Sequence, residues 1–191
     1  MRLMIYFFAE HWRGPHHLRT LVYGRYSRVG FAFSDKGKLF LYGTTQGEVF
    51  ARHERGEALL CHEEGKLDLL LPDLDAATVD AVFRTCEACA QAKLPFNLQD
   101  LLMMHVLQTA DDPRLFDCPK LHNAQAVILI LRECLPAEHE LRAALNPLNS
   151  RFTLPETLYD RIALYCLPVF NSRDFSPPNV SDRRLGGQRS H

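Results

Sequence analysis

Leu121-His122-Asn123-Ala124-Gln125-Ala126-Val127-Ile128-Leu129-Ile130-Leu131 decides the fold, because from Ala124 onward every residue except Gln125 is apolar. A helix apolar around most of its circumference belongs in the middle of a domain. The run predicts a central, buried helix over Asn123–Cys134. Its first turn holds Ala124, a small residue with high helix propensity that lets neighbours approach closely.

Upstream of this helix the pattern is strand-like. Met1–Glu10 reads as a core strand. Arg28–Ser34 and Leu39–Tyr42 are apolar runs separated by Asp35-Lys36-Gly37-Lys38, a hairpin signal in which Gly37 supplies a positive φ. A short strand is expected around Glu48–Ala51 and another over Lys66–Leu71, closed by Pro72. Helical spacing then takes over. Val79, Val82, Phe83, Cys86 and Ala90 mark one face of a helix from Asp75 to Ala92, with Asp75 as its cap. Asn97 is placed to cap a second helix, Leu98–Leu107. After the central helix come a short one over Glu138–Leu145 and a last one to Cys166, opened by the capping-box pattern Thr153-Leu154-Pro155-Glu156. From Pro168 the chain is polar and rich in turn formers. The expected organisation is one α+β domain over 1–167, an antiparallel sheet of four to six strands packed against a helical subdomain, and a polar, flexible tail over 168–191.

Composition narrows the function. With 191 residues, 47% of them hydrophobic, the chain can bury a sizeable core without disulfides or structural metal. Lys+Arg 22 against Asp+Glu 23 gives a net charge of -1, so no global field favours nucleic acid or acidic membranes. No apolar run reaches the ~18 residues a membrane span needs. Of the six cysteines (Cys61, Cys86, Cys89, Cys118, Cys134, Cys166), four fall inside expected helices, where free cysteine acts as a small hydrophobe. They read as reduced thiols of an intracellular protein.

Candidate chemistry thins out quickly. Cys86-x-x-Cys89 has no second ligand pair, and in a helix its sulfurs splay apart, against zinc or thioredoxin-like chemistry. His11, His16 and His17, beside Trp12 and Arg13, lack a carboxylate or cysteine at matching offset and read as a solvated loop. Arg13, Arg19, Arg25 and Arg28, interleaved with Tyr23 and Tyr26, are a weak nucleic-acid signal, and no phosphate-binding glycine loop is present. No metal or cofactor is called for.

One constellation remains. Tyr26-Ser27-Arg28-Val29-Gly30-Phe31-Ala32-Phe33, the hairpin from Asp35 through Tyr42-Gly43-Thr44 to Val49, and the helix beginning Asn123-Ala124-Gln125 together resemble the circularly permuted NlpC-type papain-like thiol hydrolases. The likeness spans roughly residues 20 to 160, including the approach Asn149–Pro155 to the last helix. It implies a strand carrying a histidine base, a hairpin strand carrying a polar orienting residue, and a later helix carrying the cysteine nucleophile at its amino end. Such a site works because the helix amino end and an imidazolium depress the thiol pKa, while a third residue orients the imidazole. On this alignment the base position is Arg28, which cannot accept a proton near neutral pH. The orienting position is Gly43 and the nucleophile position Ala124.

The resemblance therefore implies a non-catalytic relative that acts as a binding or structural protein, intracellular or virion-associated, of viral or pathogen origin. Its vestigial cleft would be lined by Arg28, Tyr42, Gly43, His122, Asn123 and Ala124, and would take a protein, peptide or acyl ligand, with Arg28 as an anion contact. The alternative is an active thiol peptidase, amidase or acyl hydrolase, either seen in an inactivated form or working through a displaced Cys118/His122 pair. His122 also reads simply as a cap or rim of the helix.

Overall fold

The computed structural model describes residues 1–9, 26–44, 48–56, 66–97, 115 and 120–169. The runs of aromatic and aliphatic residues near the amino end become strands because such side chains pack on a pleated surface. These are β1 (Arg2–Phe8), β2 (Arg28–Asp35), β3 (Lys38–Gly43), β4 (Ala51–Gly56) and β5 (Lys66–Leu70), joined from the far end of the described chain by β6 (Leu167–Val169). They form one antiparallel sheet in the order β4-β3-β2-β1-β5-β6. The described helices are α1 (Ala76–Ala92), α2 (Asn123–Cys134), α3 (Glu140–Leu145) and α4 (Pro155–Ile162), with 3-10 turns at Ser150–Phe152 and Ala163–Tyr165. The protein is thus α+β, as its sequence predicts.

The β2–β3 hairpin turns through Lys36 (φ 48°) and Gly37 (φ 77°). Two consecutive positive φ values match the right-handed twist of the strands they join, so Lys36 shares the role expected of Gly37 alone.

Alternation along the strands separates two faces. Leu3, Ile5 and Phe7 of β1, Val29, Phe31 and Phe33 of β2, and Tyr42 of β3 join the main core with the helices. Met4, Ala32, Leu39 and Leu41 form a second, smaller cluster with Tyr6, Leu70 and Val169 on the opposite face. Ring contacts tie the main core together. Phe33, Tyr42 and Phe83 meet edge-to-face at 5.1–5.8 Å, which fastens α1 to β2 and β3. Phe7, Tyr26 and Tyr159 converge at 5.0–5.3 Å, fastening α4 to β1. Each such pair contributes about 0.5–1.5 kcal/mol beyond its area burial. Over these rings lies α2, buried from Asn123 through Leu131.

Several boundaries differ from the sequence reading. The strand expected at Glu48–Ala51 begins at Ala51 instead, because Glu48 bridges Pro95 and Val49 donates its N–H to the Leu94 carbonyl at 2.9 Å. The last helix ends at Ile162, and no side chain caps its start: Thr153 donates to the Asn149 carbonyl at 2.7 Å instead. The sheet also runs past the expected domain end at 167, since Pro168 and Val169 pair with Leu69 and Asp68. The expected helix Leu98–Leu107 and the rest of the tail lie outside the described residues.

Candidate functional site

The start of α2 is built by its own polar residues. His122 is the N-cap, fully buried, its Nδ1 accepting the Gln125 backbone N–H at 3.3 Å. Gln125 Oε1 accepts the His122 N–H in return at 3.4 Å. This is a capping box with an imidazole in the place a hydroxyl usually takes. The other ring nitrogen, Nε2, lies 3.0 Å from the Arg151 carbonyl oxygen. A carbonyl only accepts and a backbone N–H only donates, so the proton sits on Nε2 and the lone pair on Nδ1. Both ring nitrogens are therefore committed to holding backbone.

Asn123 is committed too. Its Oδ1 accepts the Ala124 N–H at 2.7 Å, and its Nδ2 donates to the Ser27 carbonyl at 3.2 Å. Ser27 in turn donates through Oγ to the Phe8 carbonyl at 3.1 Å. The amino end of α2 is thereby tied to the residue that leads into β2. Between these residues the Ala124 methyl is fully buried in the main core.

Arg28, Gly43 and Ala124 do not share a hollow, which corrects the expected convergence. Arg28 lies on the same face as Gly30 and Ala32, opposite to Val29 and Phe31, and its guanidinium sits over the Phe8 ring at 5.6 Å. Gly43 faces that side as well. A Cβ there would overlap the Tyr6 hydroxyl and stand 2.9 Å from Tyr6 Cζ. Ala124 belongs to the other side of the sheet, with α2. The reason is the period of two along a strand: an offset of one residue exchanges the faces. The contact at the strand–helix junction falls one position earlier, between the Asn123 side chain and the Ser27 backbone carbonyl.

Of the other cleft candidates, His122 and Asn123 lie together at this junction, and Tyr42 turns elsewhere. Its hydroxyl donates to the Glu87 carboxylate of α1 through a short hydrogen bond, and Arg52 Nη1 of β4 holds the same oxygen at 2.9 Å. Burial first, then the Glu87 carboxylate, pushes the Tyr42 phenol far above its ordinary range. Tyr42 thus joins β3, β4 and α1, and it stays protonated. Cys118, the alternative nucleophile, lies outside the described residues, as do Cys61, His11, His16, His17, Arg13, Arg19 and Arg25.

Cys86, Cys89, Cys134 and Cys166 are free thiols. Burial pushes Cys89 and Cys166 up to about 12 and raises Cys86 and Cys134 as well. All four are protonated near neutral pH. Among the described residues no group of three or more His, Cys, Asp or Glu side chains is arranged to hold a metal ion. Nor is any described helix long and apolar enough to cross a membrane.

Sequence reasoning missed Ser27, Arg151 and Glu87. A signal for Ser27 was present: the small or polar set Arg28, Gly30, Ala32, Ser34 alternates with Val29, Phe31, Phe33, which assigns Arg28 to the face away from the large apolar side chains. Arg151 acts through its carbonyl, which residue type does not reveal. Comparison with known protein families, with curated proteins and with solved structures gave no match.

Proposed function

We propose that this chain is a non-catalytic relative of the permuted NlpC-type papain-like hydrolases, serving as a binding or structural protein inside a cell or in a virion. The order of parts supports the frame: a sheet with its hairpin comes first, and a buried helix follows whose amino end meets the residue leading into β2. One observation carries the non-catalytic half. Where a thiol hydrolase needs its nucleophile, Asn123 is spent on backbone hydrogen bonds beside a buried methyl, and both nitrogens of the neighbouring imidazole, His122, are spent likewise. Neither side chain can take part in acyl transfer without letting go of the helix end. The junction pair Asn123 and Ser27 stands in this reading where Ala124 and Arg28 were expected, and a protein, peptide or acyl group is the ligand class.

Thiol reactivity tests it. In the wild-type protein every cysteine, Cys118 included, reacts with iodoacetamide no faster than free cysteine at pH 7. A Cys118 that labels about tenfold faster, and slows when His122 is replaced by Asn, overturns the non-catalytic reading. The frame has its own test. Asn123→Cys should gain reactivity when Ser27→His is added, whereas Ala124→Cys should gain none from Arg28→His. The reverse pattern removes the assignment of the junction.

A further inference from the structure

The seam between α1 and α2 brings together thiols from both helices. Cys86 and Cys89 of α1 are fully buried, and half-buried Cys134 is the last residue of α2. Cys134 Sγ lies 3.4 Å from Thr85 Oγ1. Cys89 is four residues beyond Thr85, one turn along the same stripe of α1. The last turn of α2 therefore packs against the stripe of α1 that holds Thr85 and Cys89.

We propose that Cys89 and Cys134 close a disulfide under a hydroperoxide, a redox clip that fastens the end of α2 to α1. Half-buried Cys134 meets the oxidant. Its sulfur attacks the O–O bond, takes one oxygen to become a sulfenic acid, and the other oxygen leaves as water or alcohol. The Cys89 sulfur then attacks the Cys134 sulfur and the hydroxyl departs as water. Two thiols and one hydroperoxide thus give one disulfide, two electrons passing from sulfur to peroxide oxygen. The buried thiols are protonated at neutral pH, so the clip closes slowly and answers sustained oxidant. Once closed, it links positions 45 residues apart and restricts the unfolded chain.

The test uses the full-length protein treated with hydrogen peroxide, its remaining thiols alkylated after unfolding in urea, and its peptides mapped without reduction. A Cys89–Cys134 linked peptide is expected, retained in Cys86→Ser and absent from Cys134→Ser. The thermal midpoint of the oxidised protein should lie above that of the reduced protein. A Cys86–Cys134 link, Cys134 driven to sulfinic acid without any link, or Cys134 left untouched each overturns the proposal. The wild-type map decides the matter alone, so a variant that fails to fold leaves the conclusion intact.

Discussion

Replacing Gly43 by Ala separates two accounts of that residue, a lost catalytic position and a space reserved for Tyr6. Among the described glycines only Gly37 has a positive φ, so the backbone at Gly43 suits any residue and space alone is at issue. A Cβ at 43 would overlap the Tyr6 hydroxyl and press on Cζ at 2.9 Å. Displacing a tyrosine from the face of a packed sheet costs about 1–3 kcal/mol as overpacking. Against this stands a gain of about 0.4–1 kcal/mol from stiffening the unfolded chain. The net expectation is a loss of about 1–2 kcal/mol. In a Tyr6→Phe background the oxygen is gone while Cζ remains close, so the penalty should fall, with a coupling of at least about 0.5 kcal/mol between the two sites. Urea unfolding of the four proteins measures this as shifts of the midpoint at constant m. If Gly43→Ala is neutral with Tyr6 present, or costs the same without its hydroxyl, the packing account of Gly43 fails.

Other expectations follow from the same contacts. His122→Ala removes a cap and strands the Arg151 carbonyl, so it should cost about 2–4 kcal/mol, and His122→Asn, which can still cap, distinctly less; equal losses in urea melts would remove the capping role. The hydroxyl and backbone N–H of Thr78 hold the Asp75 carboxyl below its ordinary value. Its folded pKa is depressed, so its contribution is present above the unfolded value of 3.8 and lost as pH falls through the folded one. Asp75→Asn should flatten stability against pH below about 4, and an unchanged acid limb would refute that. Lys93 ends α1 in the left-handed region at φ 49°, so Lys93→Gly should stabilise by up to about 1 kcal/mol in thermal or urea unfolding.

What could be read from the sequence was whatever rests on local periodicity. The hairpin about Lys36-Gly37, the Asp75 cap and the bounds of α2 all follow from neighbouring residues, and the structure has them. What could not be read was whatever depends on partners far along the chain. Leu167–Val169 looks like the start of a tail because three residues containing a proline carry almost no strand signal, and only β5 makes them one. The Thr153 hydroxyl is a local exception: its partner, the Asn149 carbonyl, lies only four residues back, and residue type does not separate that use from a helix cap. At the strand–helix junction the resemblance expected Arg28 and Ala124 to converge, but the alternation of β2 turns Arg28 to the face opposite the one that packs on α2. Short motif likeness aligns segments, whereas facing is set by a period of two that tolerates no slip.

The last strand has a consequence for how the molecule is made. β5 leaves the ribosome almost a hundred residues before Leu167–Val169, which are its only neighbours on that side among the described residues. Val169 also packs into the small cluster of Met4, Ala32, Leu39 and Leu41. During synthesis the β5 border therefore waits, unzipped, for the whole helical half to be translated. A nascent chain stalled before Val169 presents a sticky seam to other polypeptides, so the emergence of Leu167–Val169 is the step that seals it against aggregation.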